Sequence, residues 1–193
     1  VLFRSKEKGV ILEEVKLYED TPDELIHDLF AAAVLGDHPL ARPVLGDERV
    51  IASLRREDIL DFYRRFYRAG NLVVAAVGNV EHARVVQEVA RHLEGWEGGP
   101  TLRADLAAGP ARHALRAKDL EQVHLCLGCR GLRRGHPDRF ALALLDTILG
   151  GGMSSRLFQS LREEHGLVYA TYSYHAGFQD TGIFAVYAGC SPH

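Results

Sequence analysis

A glycine- and proline-rich segment in the middle of the chain divides the sequence into two parts with different patterns. Gly95-Trp96-Glu97-Gly98-Gly99-Pro100 and the later Gly109-Pro110 contain the residue types that interrupt helices and strands. We therefore predict two subdomains, residues 1–95 and 113–193, joined by a linker at 96–112. A chain of 193 residues is long enough for each subdomain to bury a core.

The first part has mainly helical patterns. Residues 6–18 are rich in helix formers, and a second helix has a defined start. Thr21 stands at its N-cap, Pro22 at its first helical position and Glu24 three residues after the cap. Apolar residues then recur at helical spacing as far as Gly36. The other predictions for this part are a loop over 37–50, a helix capped by Ser53, a buried strand over 71–78 and a helix over 81–94.

The second part combines strands with two helices. The predicted strands are 113–118, 122–129, 168–176 and 181–188, and the predicted helices are 137–149 and a segment from Ser154 or Ser155 to about His165. Neighbouring strands of this kind can pair in an antiparallel sheet covered by helices. The predicted fold class is therefore α+β.

Charge and composition exclude several classes of partner. The formal net charge of −3 and the pI near 6.4 lack the basic footprint of a nucleic-acid-binding protein. No apolar run reaches the roughly 18 residues that a membrane span needs. Three cysteines, Cys126, Cys129 and Cys190, do not form a disulfide framework and suit a reducing compartment, so we expect a cytoplasmic location. Residues 1–5 do not resemble a signal peptide, and we interpret them as the edge of a truncation or as a sequencing scar.

Two glutamates, Glu7 and Glu14, lie seven residues apart in the first predicted helix. At 3.6 residues per turn the second carboxylate returns to within about 20° of the first, so both lie on one helix face. A solvated face with lysines nearby explains this spacing. A carboxylate can also be the third protein ligand of a catalytic zinc ion, but such a site needs two histidines. The sequence contains neither His-x-x-Glu-His nor His-Glu-x-x-His.

A second candidate is the run Gly150-Gly151-Gly152. A phosphate-binding loop is disfavoured because the run follows a predicted helix instead of a strand, and no Gly-Lys-Ser/Thr is present. Two interpretations stay open: a helix stop with a flexible turn, and a loop that contacts a peptide.

Two further patterns have ordinary structural explanations. Cys126 and Cys129 fall within a predicted strand, where positions i and i+3 face opposite sides, so we expect core or surface cysteines and no metal pair. Arg162 and Tyr169 flank Gly166. By composition alone they are a helix end, with a cation well placed in its last turns, followed by the start of a strand.

Taken together, these motifs resemble the pitrilysin, insulinase and mitochondrial processing peptidase family of zinc metallopeptidases. The resemblance extends from about Glu7 to the end of the chain. It is carried by the segments Glu7–Val15, Asp20–Pro22, Gly36–Leu40, Asn71–Val80, Leu149–Gln159 and Tyr187–Gly189.

The resemblance implies the fold, the chemistry and the site residues. It implies two similar α+β subdomains, both incomplete in this chain, and a zinc-dependent endopeptidase in which a Zn²⁺-bound water attacks a peptide bond. Glu14 matches the family's third zinc ligand, and Glu7 matches the glutamate that accompanies it in the catalytic centre. Arg162 and Tyr169 match a pair that holds the peptide substrate, and Gly150, Gly151 and Gly152 match a substrate-binding loop.

The resemblance also has consequences for assembly. Family heterodimers divide the metal site and the arginine–tyrosine pair between two subunits, whereas this chain has residues of both. We therefore expect a homodimer whose subunits exchange these roles, with a heterodimer of related subunits as the other possibility. Because the His-x-x-Glu-His segment is missing, we expect this chain alone to be inactive. The alternative function is a non-catalytic partner or core subunit of the same fold.

Overall fold

The structure is a computed structural model that describes residues 2–99 and 112–192. Contacts divide the chain into two compact units, one formed by Val1–Ala52 with Ala104–His193 and the other by Ser53–Arg103. Most of the predicted linker, residues 100–111, lies outside the described residues. The subdomain boundary that we place there therefore stays a prediction.

The larger unit is built on a three-stranded antiparallel sheet. Its strands are β1 (Val123–Gly131), β2 (Ala170–Gly177) and β3 (Gly182–Cys190), in the spatial order β1-β3-β2. β3 is central, and its Tyr187 is opposite Cys126 of β1 and Tyr172 of β2. The antiparallel sheet with helices packed on it confirms the predicted α+β class.

The helices of this unit are α1 (Leu2–Glu19), α2 (Pro22–Leu35), α3 (Glu48–Ser53, whose last residue is the first of the smaller unit) and α6 (Arg139–Gly150), with a π-helix at Phe158–Glu164 and a 3₁₀ turn at Pro39–Ala41. α2 begins at Pro22 as predicted. The Thr21 hydroxyl, however, donates to the carbonyl oxygen of Leu17 in α1 at 2.9 Å and does not cap α2.

Helices cover both faces of the sheet because successive strand residues point to opposite sides. On β2, the Tyr174 hydroxyl meets His27 of α2, while the neighbouring Ser173 hydroxyl bonds to Asp146 of α6. The buried core lies between α2 and the sheet. Its members are Phe30, Leu35, Ile183 and Ala185.

The smaller unit contains α4 (Arg56–Phe66), a 3₁₀ turn at Ala69–Asn71 and α5 (His82–His92). The prediction of a buried strand at 71–78 was wrong. No strand forms there among the described residues, and Val73 and Val77 are 92% and 98% exposed. β-Branched residues favour an extended backbone, but a strand also needs a neighbour to pair with its backbone groups.

Three smaller predictions were also wrong. No strand forms at 113–118. The predicted loop at 37–50 contains the 3₁₀ turn and the start of α3. Ser53 ends α3, and the Asp58 carboxylate at the start of α4 accepts the backbone N–H of Arg55 at 2.7 Å. Among the described residues, no helix has the length and apolar character needed to cross a membrane.

Candidate functional site

Glu7 and Glu14 both lie on α1 with exposed side chains. The helix buries Val15, which is 8% exposed, and it packs against α2. The seven-residue spacing within one continuous helix places the two glutamates on one face. Their carboxylates are therefore accessible to a ligand.

These carboxylates do not form a complete metal site. Within residues 2–99 and 112–192, no three His, Cys, Asp or Glu side chains come close enough together to hold a metal ion. A catalytic zinc ion takes three protein ligands and a water molecule. The described residues alone therefore do not fit a zinc centre, although Glu14 has the chemistry and exposure of a single ligand.

The three glycines at the end of α6 differ in how much space a side chain would have at each position. Gly150 is buried, and a Cβ there would collide with the backbone nitrogen of Ser173. A Cβ at Gly151 would lie 2.7 Å from the Cα of Thr147. At Gly152 a Cβ would meet nothing within 4 Å, and its φ is not positive. Packing therefore requires the first two glycines, whereas the fold does not require Gly152.

Beneath this loop lies a polar cluster that sequence reasoning missed. The Ser173 hydroxyl oxygen lies 2.5 Å from one carboxylate oxygen of Asp146 and 2.9 Å from its backbone oxygen, and its single proton is shared between these two acceptors. His175 Nδ1 lies 2.8 Å from the other carboxylate oxygen of Asp146. The alternation of Ser173 and His175 in β2 was a signal that both lie on one face of the strand.

Arg162 and Tyr169 each have an exposed side chain. Arg162 lies on the π-helix, and its guanidinium carbon is 4.9 Å from the centre of the Phe158 ring. Tyr169 directly precedes β2, and its backbone N–H donates to the carbonyl oxygen of Gly189 at 2.8 Å. As predicted, Arg162 falls near a helix end and Tyr169 at the start of a strand. Their contact with a peptide stays a prediction.

A second polar cluster, also missed, joins α2 to the sheet. His27 Nδ1 is 2.8 Å from the Tyr174 hydroxyl, and His27 Nε2 is 2.9 Å from the Tyr172 hydroxyl. Cys126 Sγ lies 3.6 Å from His27 Nδ1, and the Tyr172 and Tyr187 rings are stacked with centres 4.7 Å apart. We call these five residues the His27 cluster.

Burial dominates the titration of the His27 cluster. It lowers the pKa of His27, raises that of Cys126 to about 11 and raises that of Tyr187 to about 12. The cluster is thus neutral at neutral pH. All three cysteines are free, and Cys126 and Cys129 lie within β1, as the strand prediction required.

Comparisons with known proteins agree with this fold. Residues 53–193 match the model of the peptidase M16 inactive domain. The chain is 46% identical over 196 residues to an uncharacterized zinc protease of Streptomyces coelicolor, a match that covers 96% of the chain and 42% of the relative. It is 38% identical over 185 residues to the uncharacterized zinc protease YmxG of Bacillus subtilis, covering 95% of the chain and 45% of that relative.

Solved structures of M16-type peptidases have a similar fold. The peptidase M16 inactive domain from Pseudomonas fluorescens superposes with a TM-score of 0.82 at 26% identity, over 99% of this chain and 47% of that one. A protease from Helicobacter pylori superposes with a TM-score of 0.81 at 24% identity, over 98% of this chain and 48% of that one. This second match shows similarity of fold only. The chain spans less than half the length of the two curated relatives described above.

Proposed function

Because this chain belongs to the peptidase M16 family, we propose that it acts within a zinc-dependent endopeptidase that hydrolyses peptides or unfolded segments. The observation that carries the proposal is the 46% identity, over 96% of the chain, to a relative named as a zinc protease. The exposed carboxylates of Glu7 and Glu14 support it, since a metal ligand must be accessible.

In this proposal the chain supplies part of the machinery. Glu14 is one ligand of a Zn²⁺ ion whose other ligands lie outside these 193 residues, and Glu7 is the accompanying catalytic glutamate. Arg162, Tyr169 and the Gly150–Gly152 loop bind the substrate, the loop through Gly152, because a guanidinium, a phenol and the open backbone of a glycine can all meet a peptide main chain. The match of residues 53–193 to the inactive domain is consistent with a substrate-holding role for that part.

A matched pair of variants in the full-length protein tests the metal role. Glu14→Gln removes a carboxylate that we expect to bind zinc. Glu13→Gln removes the neighbouring carboxylate, which is bonded to Lys16 at 2.8 Å. We expect Glu14→Gln to lose most of the bound zinc and peptide hydrolysis, and Glu13→Gln to keep both. Retained zinc and unchanged turnover in Glu14→Gln would reject the assignment.

The alternative is a non-catalytic partner or core subunit of the same fold. The match of residues 53–193 to an inactive domain supports this alternative. The same experiment separates the two functions. Full-length protein without zinc and without hydrolysis, alone or with a related subunit, would support the alternative.

We further propose a cytoplasmic homodimer in which Arg162 and Tyr169 serve the metal site of the partner subunit. Mixing Glu14→Gln with Arg162→Ala protein tests this exchange. In a mixed dimer one of the two sites has both residues intact, so random re-pairing should restore about a quarter of the wild-type activity. No restoration after verified subunit exchange would contradict the proposal.

A further inference from the structure

Asp146 lies where α6 meets β2, one turn before Gly150. Its side chain is 17% exposed, and its carboxylate contacts Ser173 on one oxygen and His175 on the other. Ser173 also bonds to the backbone oxygen of Asp146. Two side chains of one strand thus hold both the carboxylate and the main chain of a single helix residue.

These bonds fix the place where the glycine loop begins. Gly150 packs against Ser173 so closely that no Cβ fits between them, and the Gly151 N–H donates to the carbonyl oxygen of Thr147 at 3.2 Å. The end of α6 is therefore joined to β2 through both Asp146 and Gly150. Gly152, the next residue of the loop, has open space where a side chain would be.

A carboxylate is a costly way to join a helix to a sheet. A largely desolvated charge lowers stability unless its hydrogen bonds are satisfied, and apolar side chains could fill the same contact. What Asp146 adds is directional bonding, since Ser173 and His175 fix its position in a way that apolar packing does not.

We propose that Asp146 is a positioning residue for peptide binding. Held by Ser173 and His175, it sets the start of the glycine loop so that the backbone at Gly152 meets an extended peptide. This inference rests on the proposed function, because the peptide is the substrate proposed above.

Variants of the full-length protein test the inference through KM and kcat. Asp146→Ala and His175→Leu should raise KM for an extended peptide roughly five-fold and leave kcat within about two-fold, because they weaken binding and spare the metal site. The separate variant His175→Asn should have a KM close to that of the wild type, since its side-chain amide nitrogen takes the place of Nδ1 as a donor to Asp146. Ser173→Ala provides a smaller change should Asp146→Ala fail to fold.

Binding of a fluorescent extended peptide, measured by anisotropy, gives a second readout that does not need hydrolysis. A protein that binds peptide but never cleaves it would contradict the proposed function, while weaker binding in His175→Leu than in His175→Asn would still support Asp146. The inference is overturned if folded Asp146→Ala or Ser173→Ala binds peptide with wild-type affinity and KM. It is equally overturned if His175→Asn is as impaired as His175→Leu, or if these variants lower only the melting temperature.

Discussion

His27 of α2 and Tyr174 of β2 are 147 positions apart in the sequence, and His27 Nδ1 lies 2.8 Å from the Tyr174 hydroxyl. The other ring nitrogen of His27 is 2.9 Å from the hydroxyl of Tyr172, two residues earlier on the same strand. One imidazole therefore joins a helix of the predicted first subdomain to a strand of the predicted second. The protonation of His27 is consequently coupled to the packing of α2 on the sheet.

The first prediction concerns the pH dependence of stability. Burial lowers the pKa of His27 below 6.5, and Asp23 and Asp28 oppose the shift to a smaller extent. The unfolded chain therefore binds more protons than the folded one as the pH falls through 6.5, so the contribution of neutral His27 to stability is present above that pH and is lost below it. The wild-type chain should lose more unfolding free energy than His27→Gln between about pH 7.5 and about pH 5.5.

Urea unfolding at the two pH values measures this difference. Glutamine keeps a donor and an acceptor near Tyr172 and Tyr174 but does not titrate. Because the other histidines are common to both proteins, their contribution cancels in the comparison. An equal loss of stability in the two proteins would show that His27 is not the titrating group.

The second prediction separates two glycines of the loop. Gly150→Ala should destabilise the fold by about 1–3 kcal/mol, because the new methyl group collides with Ser173. Gly152→Ala should change stability by less than about 0.5 kcal/mol, because its Cβ enters open space. Thermal unfolding of both variants checks the pair, and similar melting temperatures would contradict it.

The third prediction concerns thiol reactivity. Cys129 is exposed, whereas burial raises the pKa of the Cys126 thiol to about 11. Since the thiolate is the reactive form, iodoacetamide at about pH 8 should label Cys129 several times faster than Cys126. Mass spectrometry of peptides from the folded protein measures both rates. A Cys129→Ser variant provides the control for overlapping signals, and equal rates in native protein would refute the burial of Cys126.

The fourth prediction concerns two glycines outside the loop. Gly9 lies inside α1, and a Cβ there meets nothing within 4 Å, so Gly9→Ala should stabilise the chain by about 0.5–1 kcal/mol. Gly166 has a φ of +60°, and Gly166→Ala should destabilise it by about 1 kcal/mol. The denaturant concentration at the midpoint of unfolding should rise in Gly9→Ala and fall in Gly166→Ala, relative to the wild-type chain.

Patterns local in sequence predicted much of the fold. The proline at position 22 and the apolar spacing after it predicted α2, and the alternation through Val123, Leu125 and Leu127 predicted β1. The same reasoning failed at 71–78. There the residues favour an extended backbone, but the structure offers no paired strand among the described residues.

The candidate site was predictable only in part. Resemblance to a family indicated Glu14, Arg162 and Tyr169, because those residues stand in recognisable motifs. It did not indicate Asp146 or His27. Each is one polar residue within a helix of mainly apolar residues, and no motif in the sequence marks it.

The sequence by itself determined most of the helices, the strands β1, β2 and β3, the α+β class and the family, because periodicity, caps and motifs are properties of neighbouring residues. Only the tertiary structure decided which polar groups meet. Asp146 with His175, and His27 with Tyr174, come together through strand pairing and helix packing across long stretches of chain. The same packing distinguished Gly150, which lies against Ser173, from Gly152, where an added Cβ would enter open space.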